Sequence, residues 1–459
     1  MYSPEIESLL VSKKIKVGDR VRVTTKLGTH DGILLPRIEM GDISSLVLKL
    51  DNGYNIGIHF DTSDKTDKSM QIKKLEGGAK LGVIPSVSVK SRPGLPDVSF
   101  IATGGTIGTH VDYKTGAVFM SRKPEEIIAT TPELQDIANI KVVPAPFTAA
   151  SEDMNHIHWG QLAEIVAKEL NKGRRGAIVT HGTDCLHFTS AALSFMLKDL
   201  HKPVAVVGAQ RSPDRGSFDG IMNLICSGHF AGHSNIGEVA IVMHATTNDD
   251  FCFAHRGTKV RKMHASRRDA FRSINELPLA KIWPNGKIEI TNNNFRQFDE
   301  GKKVSADTAF EPKVAIVKAY PGSDPQIIDW YADEGFRGIV IEATGLGHVP
   351  TGESGTNVGQ FDPNMSWIPR IKSAIERGIV VVVTSQTLYG RVHPFVYRNL
   401  RLLYNTGTVF GEDMLPETAY VKLGWLLGHE KDFDKVRSMM QTNIAGEITQ
   451  ETNAQSFLV

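Results

Sequence analysis

Two short turns carry hydroxyls where chemistry could use them. "ATGGTIG" (Ala102–Gly108) sets Thr106 directly after two glycines at the end of the extended run "DVSFI", and "GAIVTHGTD" sets Thr183 and Asp184 after a second strand-like run. Glycines let a backbone turn sharply and approach a ligand, so a hydroxyl on such a turn is exposed and aimed. A threonine hydroxyl is a poor nucleophile until a base takes its proton, and the base needs a third group to hold its protonation state. Thr106, Thr183, Asp184 and Lys262 make such a set. Asp184 would orient and balance Lys262, whose amine, once partly desolvated, can accept a threonine proton. Which threonine attacks first is open at this level. Backbone amides of the two turns, Gly105 and Gly182 among them, suit an oxyanion or an amino-acid carboxylate. Each turn taken singly is also an ordinary strand-to-helix connection.

The elements that must position these residues follow from periodicity. The first sixty residues read as all-β: "DRVRVTT" alternates charged and apolar residues, "THDGILLP" carries a turn signal before a short strand, and "SSLVLKLDNGYNIGIHF" gives two strands around Asp51-Asn52-Gly53. This predicts a small β-barrel over residues 1–75, followed by a polar, Lys/Gly/Ser/Pro-rich linker over 76–96. After Asp97 short apolar strands alternate with helical patterns such as "LHFTSAALSFMLKDL", which predicts a parallel sheet covered by helices, with ligands at the carboxyl ends of its strands. Three of those ends are polar: "TGGT", "THGTD" and "GAQRS". A first α/β lobe is placed at 97–285, an irregular and hairpin connection at 286–311, and a second α/β lobe at 312–459.

Composition narrows the function classes. Lys plus Arg number 52 against 51 Asp plus Glu, a net charge of +1, so no global field draws the chain to nucleic acid or membrane. The three cysteines, Cys185, Cys226 and Cys252, are odd in number and lack CxxC spacing, against both a disulfide framework and zinc. The chain opens without the charged and apolar regions of a secretion signal, and its apolar runs are too short to span a bilayer. A cytoplasmic protein is expected.

Six segments resemble the L-asparaginase family: "ATGGTIG", "VTHGTDCLHFTSAALSFML", "SEDMN", "GAQRSPD", "RKMHASRRDAFRS" and "TSQTLYGRV". They cover about Asp97 to Gln450. The resemblance implies a two-lobed asparaginase-like fold with Thr106 as the nucleophile of the first motif and Thr183 and Asp184 as the Thr-Asp of the second. It makes Lys262, counted back from "DAF", the basic member, with Lys259 as the alternative. Ser151 and Glu152 match positions that contact the amino acid's carboxylate and amine, and Gly105, Gly182 and Gln210 complete the candidate substrate-binding set. Tyr113 falls where that family carries a mobile lid and receives no role.

The segments "LDNGYNIGI", "HRGTKVRKMHASRRDAFRSIN" and "SFMLKDLHKPVAVVGAQRS" are similar to one branch in particular, the archaeal glutamyl-tRNA(Gln) amidotransferase D subunits, over nearly the whole chain. That branch implies hydrolysis of glutamine or asparagine to ammonia. A partner, the amidotransferase's E subunit, would hold ATP and Mg²⁺, bind most of Glu-tRNA(Gln) and use the ammonia to make Gln-tRNA(Gln). The branch also implies no cofactor or metal on this chain, no membrane, and a self-dimer giving an α2β2 complex. The "GLGHVP" turn (Gly345–Pro350) resembles an element that packs near the neighbouring protomer's site.

Other polar groups read more simply. His181 fits a structural hydrogen bond, and "HIH" (His156–His158) a loop leading into a helix, since its spacing matches no metal pattern. Cys185 reads as a small buried residue. The cluster "RRDAFR" beside "KVRK" could touch tRNA, face solvent or meet another protein chain.

Overall fold

The computed structural model describes residues 2–36, 42–51, 54–60, 71–77, 91–111, 118–120, 123–213, 217–352 and 361–457. Tyr113 lies outside them.

Strands Arg20–Thr25, Gly28–Leu34, Ser45–Leu50, Asn55–His59 and Gln71–Lys74 form one antiparallel sheet, with Arg20–Thr25 between Gly28–Leu34 and Gln71–Lys74. Val21 and Val23 point into a separate core with Leu34, Leu46, Leu48, Ile58 and Ile72, while Arg22, on the opposite face, reaches Asp31 at 2.7 Å. The sequence reading departs from this twice. The turn lies at Lys26-Leu27, and Asp31-Gly32 runs inside the strand, because Asp31 pairs with Arg22 across it. The amino terminus is also not all-β: Pro4–Ser12 is a helix, capped by the Ser3 side chain, which accepts from the Ile6 N–H, with proline in its first turn. Its Ile6 and Leu10 close the core of the sheet.

An eight-stranded sheet builds the next lobe. Asn139–Val143, Asp97–Ala102, Gly176–Thr180, Val204–Val207 and Val239–His244 lie side by side and parallel. Cys252–Arg256, Ala280–Ile282 and Ile288–Ile290 then continue it antiparallel, so the sheet is mixed rather than parallel throughout. Link length accounts for two of these pairings, since a parallel return needs a long crossover and the short links after His244 and Ile282 permit only hairpins; the segment from Arg256 to Ala280 is long enough for a crossover and still returns antiparallel. The hairpin of Ala280–Ile282 and Ile288–Ile290 begins ahead of the 286–311 connection and extends this sheet. Helices His156–Leu170, Leu186–Met196 and Gly220–His233 cover it, which is why strands such as "VAVV" and "VAIVMH" are buried on both faces.

The last lobe has four parallel strands, Val314–Lys318, Gly338–Ala343, Val380–Ser385 and Val409–Phe410. Helix Pro416–His429 packs on these strands and on helix Leu186–Met196 of the preceding lobe. Leu423 and Leu426 therefore share one apolar core with Leu193, Phe195 and Val382. The two lobes are joined by packing as well as by chain.

Candidate active site

Parallel neighbours end on the same edge of a sheet, so Asp97–Ala102, Gly176–Thr180 and Val204–Val207 deliver "TGGT", "HGTD" and "GAQ" to one place. Backbone bonds hold the edges together: Thr103 N–H donates to Thr180 O at 3.1 Å, and His181 N–H to Val207 O at 2.8 Å. The approach is tight enough to require glycine. Gly105 has φ +82°, and a Cβ there would stand 2.4 Å from Gly182 N. A Cβ on Gly208 would stand 2.7 Å from Thr183 Cγ2. Thr106 opens a 3-10 turn, Thr106–Gly108, on the first of these edges, not the α-helix that the sequence suggested.

Lys262 reaches this edge from a separate hairpin. Strand Val260–Lys262 pairs with Phe271–Ser273, and the loop between them is held by Asp269, which takes Arg267 and Arg272 at 2.8 Å each. The two guanidiniums hold the Asp269 carboxyl well below the usual carboxylate range. From there Lys262 Nζ donates to Thr183 Oγ1 at 2.9 Å and to Asp184 Oδ1 at 2.7 Å. The Lys262 side chain is 9% exposed and that of Asp184 69%, so the amine lies beneath and the carboxylate faces outward. Lys259 is elsewhere. It is fully buried and bound to Asp413 Oδ2 at 2.6 Å, and that burial pushes its amine down while Asp413 opposes the shift.

Ser151, in the turn Ser151–Asp153, is buried beside Gly182 and accepts from the Cys185 N–H at 3.3 Å. Glu152 is exposed, and its Oε2 accepts from Ser151 Oγ at 3.3 Å. Gln210 is fixed through its backbone, since its N–H and that of Arg211 donate to the buried Asp219 carboxylate. Its side-chain Nε2 is buried without a hydrogen-bond partner among the described residues. Nothing in the sequence marks Asp219, which is one acid in a polar stretch.

The remaining groups find plain places. His181 is buried, donates from Nδ1 to Gly182 O at 2.7 Å, and is pushed down to about 4 by burial, so it is neutral. Cys185 is half-buried rather than buried, because it stands at the start of helix Leu186–Met196 on the site's rim; burial first, then Asp184 and Glu152, push its thiol up. His156–His158 is the first turn of helix His156–Leu170, not a loop, because Asn155 caps it and its Oδ1 accepts from the Ile157 N–H. In "RRDAFR", Arg267 and Arg272 pair with Asp269, and Arg268 with Asp249 at 2.8 Å. Among the described residues, no helix is long and apolar enough to cross a membrane.

An amine within hydrogen-bond reach of a hydroxyl and a carboxylate, beside glycine turns at strand ends, is the equipment of an amide-hydrolysing acyl-transfer site. Fold and site together define an asparaginase-type enzyme. Residues 97–296 match the family model described as "Asparaginase, N-terminal", residues 313–440 the "Glutaminase/Asparaginase C-terminal domain", and residues 15–68 the "GatD N-terminal domain". The thermostable L-asparaginase from Thermococcus kodakarensis superposes with a TM-score of 0.68 at 26% identity, covering 77% of this chain and 100% of that one. The D subunits of the glutamyl-tRNA(Gln) amidotransferases of Pyrococcus abyssi and Pyrococcus horikoshii are 47% and 48% identical, each over 99% of both chains. The chain belongs to the family of glutamyl-tRNA(Gln) amidotransferase D subunits.

Proposed function

We propose that this chain is the glutamine-hydrolysing component of a tRNA-dependent amidotransferase. The observation that carries this reading is the contact of Lys262 with Thr183 and Asp184. A likeness to amidotransferase D subunits along 99% of the chain supports it.

The substrate is glutamine or asparagine. Ser151, Glu152 and Asp184 hold its amino-acid end, with Gly105, Gly182 and Gln210 around it. A threonine hydroxyl attacks the side-chain amide carbon, an ester C–O bond forms, and the C–N bond breaks. The hydroxyl proton passes by way of the Lys262 amine to the departing nitrogen, which leaves as ammonia; water then hydrolyses the ester and restores the hydroxyl. A charged Lys262 donates to Thr183 Oγ1, whereas a neutral one accepts from it, so one contact serves both states. Thr183 is the hydroxyl touching the amine, and family resemblance assigns the attack to Thr106. Peptide mass mapping of a trapped acyl adduct separates the two.

Ammonia release serves a second reaction. The amidotransferase's E subunit, with ATP and Mg²⁺, activates Glu-tRNA(Gln) and receives the ammonia, binding most of the tRNA itself. Two copies of this chain pair in an α2β2 complex in the cytoplasm. Hydroxyl-and-amine acyl transfer on this chain calls for no metal or organic cofactor.

The test is to purify the tagged chain from its own cells with what remains bound, and to assay glutamine-dependent conversion of Glu-tRNA(Gln) to Gln-tRNA(Gln). Conversion with a second large protein chain present is expected. A chain that purifies alone, hydrolyses the amide without RNA and gives no conversion is a free asparaginase or glutaminase, the reading that the likeness to L-asparaginase structures favours.

A further inference from the structure

Helix Pro416–His429 of the last lobe opens with a buried acid. Glu417 is 5% exposed, and its Oε1 lies 2.9 Å from an Arg261 guanidinium nitrogen and 3.9 Å from His187 Nε2. Both partners are chain neighbours of the proposed catalytic set. Arg261 precedes Lys262 on strand Val260–Lys262, and His187 lies one helical turn beyond Thr183 and Asp184, on the helix that follows them. The next residue of the same helix, Thr418, donates through Oγ1 to Thr258 O at 2.9 Å and so holds the turn that leads into the strand.

An acid in a helix's first turn ordinarily complements the helix dipole from the surface. That role does not call for burial, and Glu417 Oε2 is buried with no hydrogen-bond partner among the described residues, as is His187 Nδ1. Buried groups left partly unpaired are costly and call for a separate explanation. Burial, helped by Arg261 and Lys262, pushes His187 down to about 3, so the ring is neutral and Arg261 is the charged partner of Glu417 among the described residues; burial pushes the Glu417 carboxyl up and Arg261 opposes that shift.

We infer that Glu417 is a positioning residue for Lys262: by holding Arg261 it sets the strand that carries the amine, so the last lobe fixes the working geometry of a site built on the preceding one. The inference rests on Lys262 being the base proposed above. It adds that the lobe-to-lobe contact is part of the catalytic geometry and not only of the packing.

The test compares steady-state L-glutamine hydrolysis by the full-length chain, in the complex as purified, for wild type, Glu417→Gln, Arg261→Gln, the double variant and Lys262→Ala, with thermal unfolding of each. Displacing a reacting group by about 1 Å costs up to about a hundredfold. Glu417→Gln is therefore expected to lower kcat at least about tenfold with KM within about twofold, and the double variant to lose no more than the worse single one. A kcat within about twofold of wild type in Glu417→Gln, or single losses that multiply in the double, overturns the inference. If Glu417→Gln does not fold, Arg261→Lys carries the same test, because it keeps the charge and shortens the reach. Full turnover by Lys262→Ala would instead defeat the underlying reading, whatever Glu417 does.

Discussion

Lys262 Nζ stands 2.9 Å from Thr183 Oγ1 across 79 positions of sequence, brought there by a hairpin and not by the strand edges that gather the other polar residues. The contact gives the first prediction. Thr183→Ala and Lys262→Ala should each lower glutamine hydrolysis by at least about a thousandfold, because members of a catalytic unit fail together. Their unfolding temperatures should stay near wild type. Ammonia release close to the wild-type rate from either folded variant would sink the assignment.

Lys259, three residues earlier, should behave in the opposite way. Its amine is fully buried on Asp413, which also accepts from Thr449 N–H at 3.0 Å and from Thr449 Oγ1. Lys259→Met would strand the Asp413 carboxylate in the core, a loss of about 3–5 kcal/mol for a broken buried pair. Calorimetry should show a marked fall in Tm while kcat per folded molecule holds. Lost kcat at an unchanged Tm would make Lys259 a member of the chemistry.

The two lysines show where sequence reading stops. Glycine turns after apolar runs mark Thr106, Thr183 and Asp184, because strand ends and tight turns leave a local pattern. Nothing local separates Lys259 from Lys262, since the difference lies in Asp413 and Thr183, which the fold alone brings near. Glu417 is invisible for the same reason: its residue type suits any helix start, and its partner Arg261 is remote in sequence. Helix Pro4–Ser12 is a different case. Ser3-Pro4-Glu5 is a helix-start signal, masked by the strong strand periodicity that follows it. The mixed sheet is legible only in part, since strand periodicity does not encode direction and link length fixes it only where the link is too short for a crossover, as after His244 and Ile282 but not between Arg256 and Ala280.

Gly105 tests the closeness of the two turns. A Cβ there would meet Gly182 N at 2.4 Å and His181 C at 2.5 Å, backbone atoms that cannot swing aside, and φ of +82° is itself unfavourable for alanine. Gly105→Ala should therefore push the Thr106 and Thr183 turns apart, lowering stability by about 1–3 kcal/mol and kcat by about a hundredfold or more. A variant with wild-type kcat would mean that the turns need not touch for turnover.

Acid should weaken the fold through buried histidines. Burial pushes His181 down to about 4, and His187 and His255 to about 3, from an ordinary value of 6.5. Below about pH 6.5 the unfolded chain binds protons that these folded rings refuse, so their contribution is complete above that pH. It falls by about 1.4 kcal/mol per pH unit for each ring as acid is added, until the folded values are reached. His255 isolates one share, because it is not a member of the proposed catalytic set, and its Nδ1 lies 2.8 Å from Ser273 Oγ on the strand that pairs with Val260–Lys262. Unfolding followed at pH 7.5, 6.0 and 5.0 should show a falling midpoint in the wild type and a shallower fall in His255→Asn. Equal slopes in the two proteins would mean that His255 takes up its proton in the folded state, and that the ring is not held neutral by its burial.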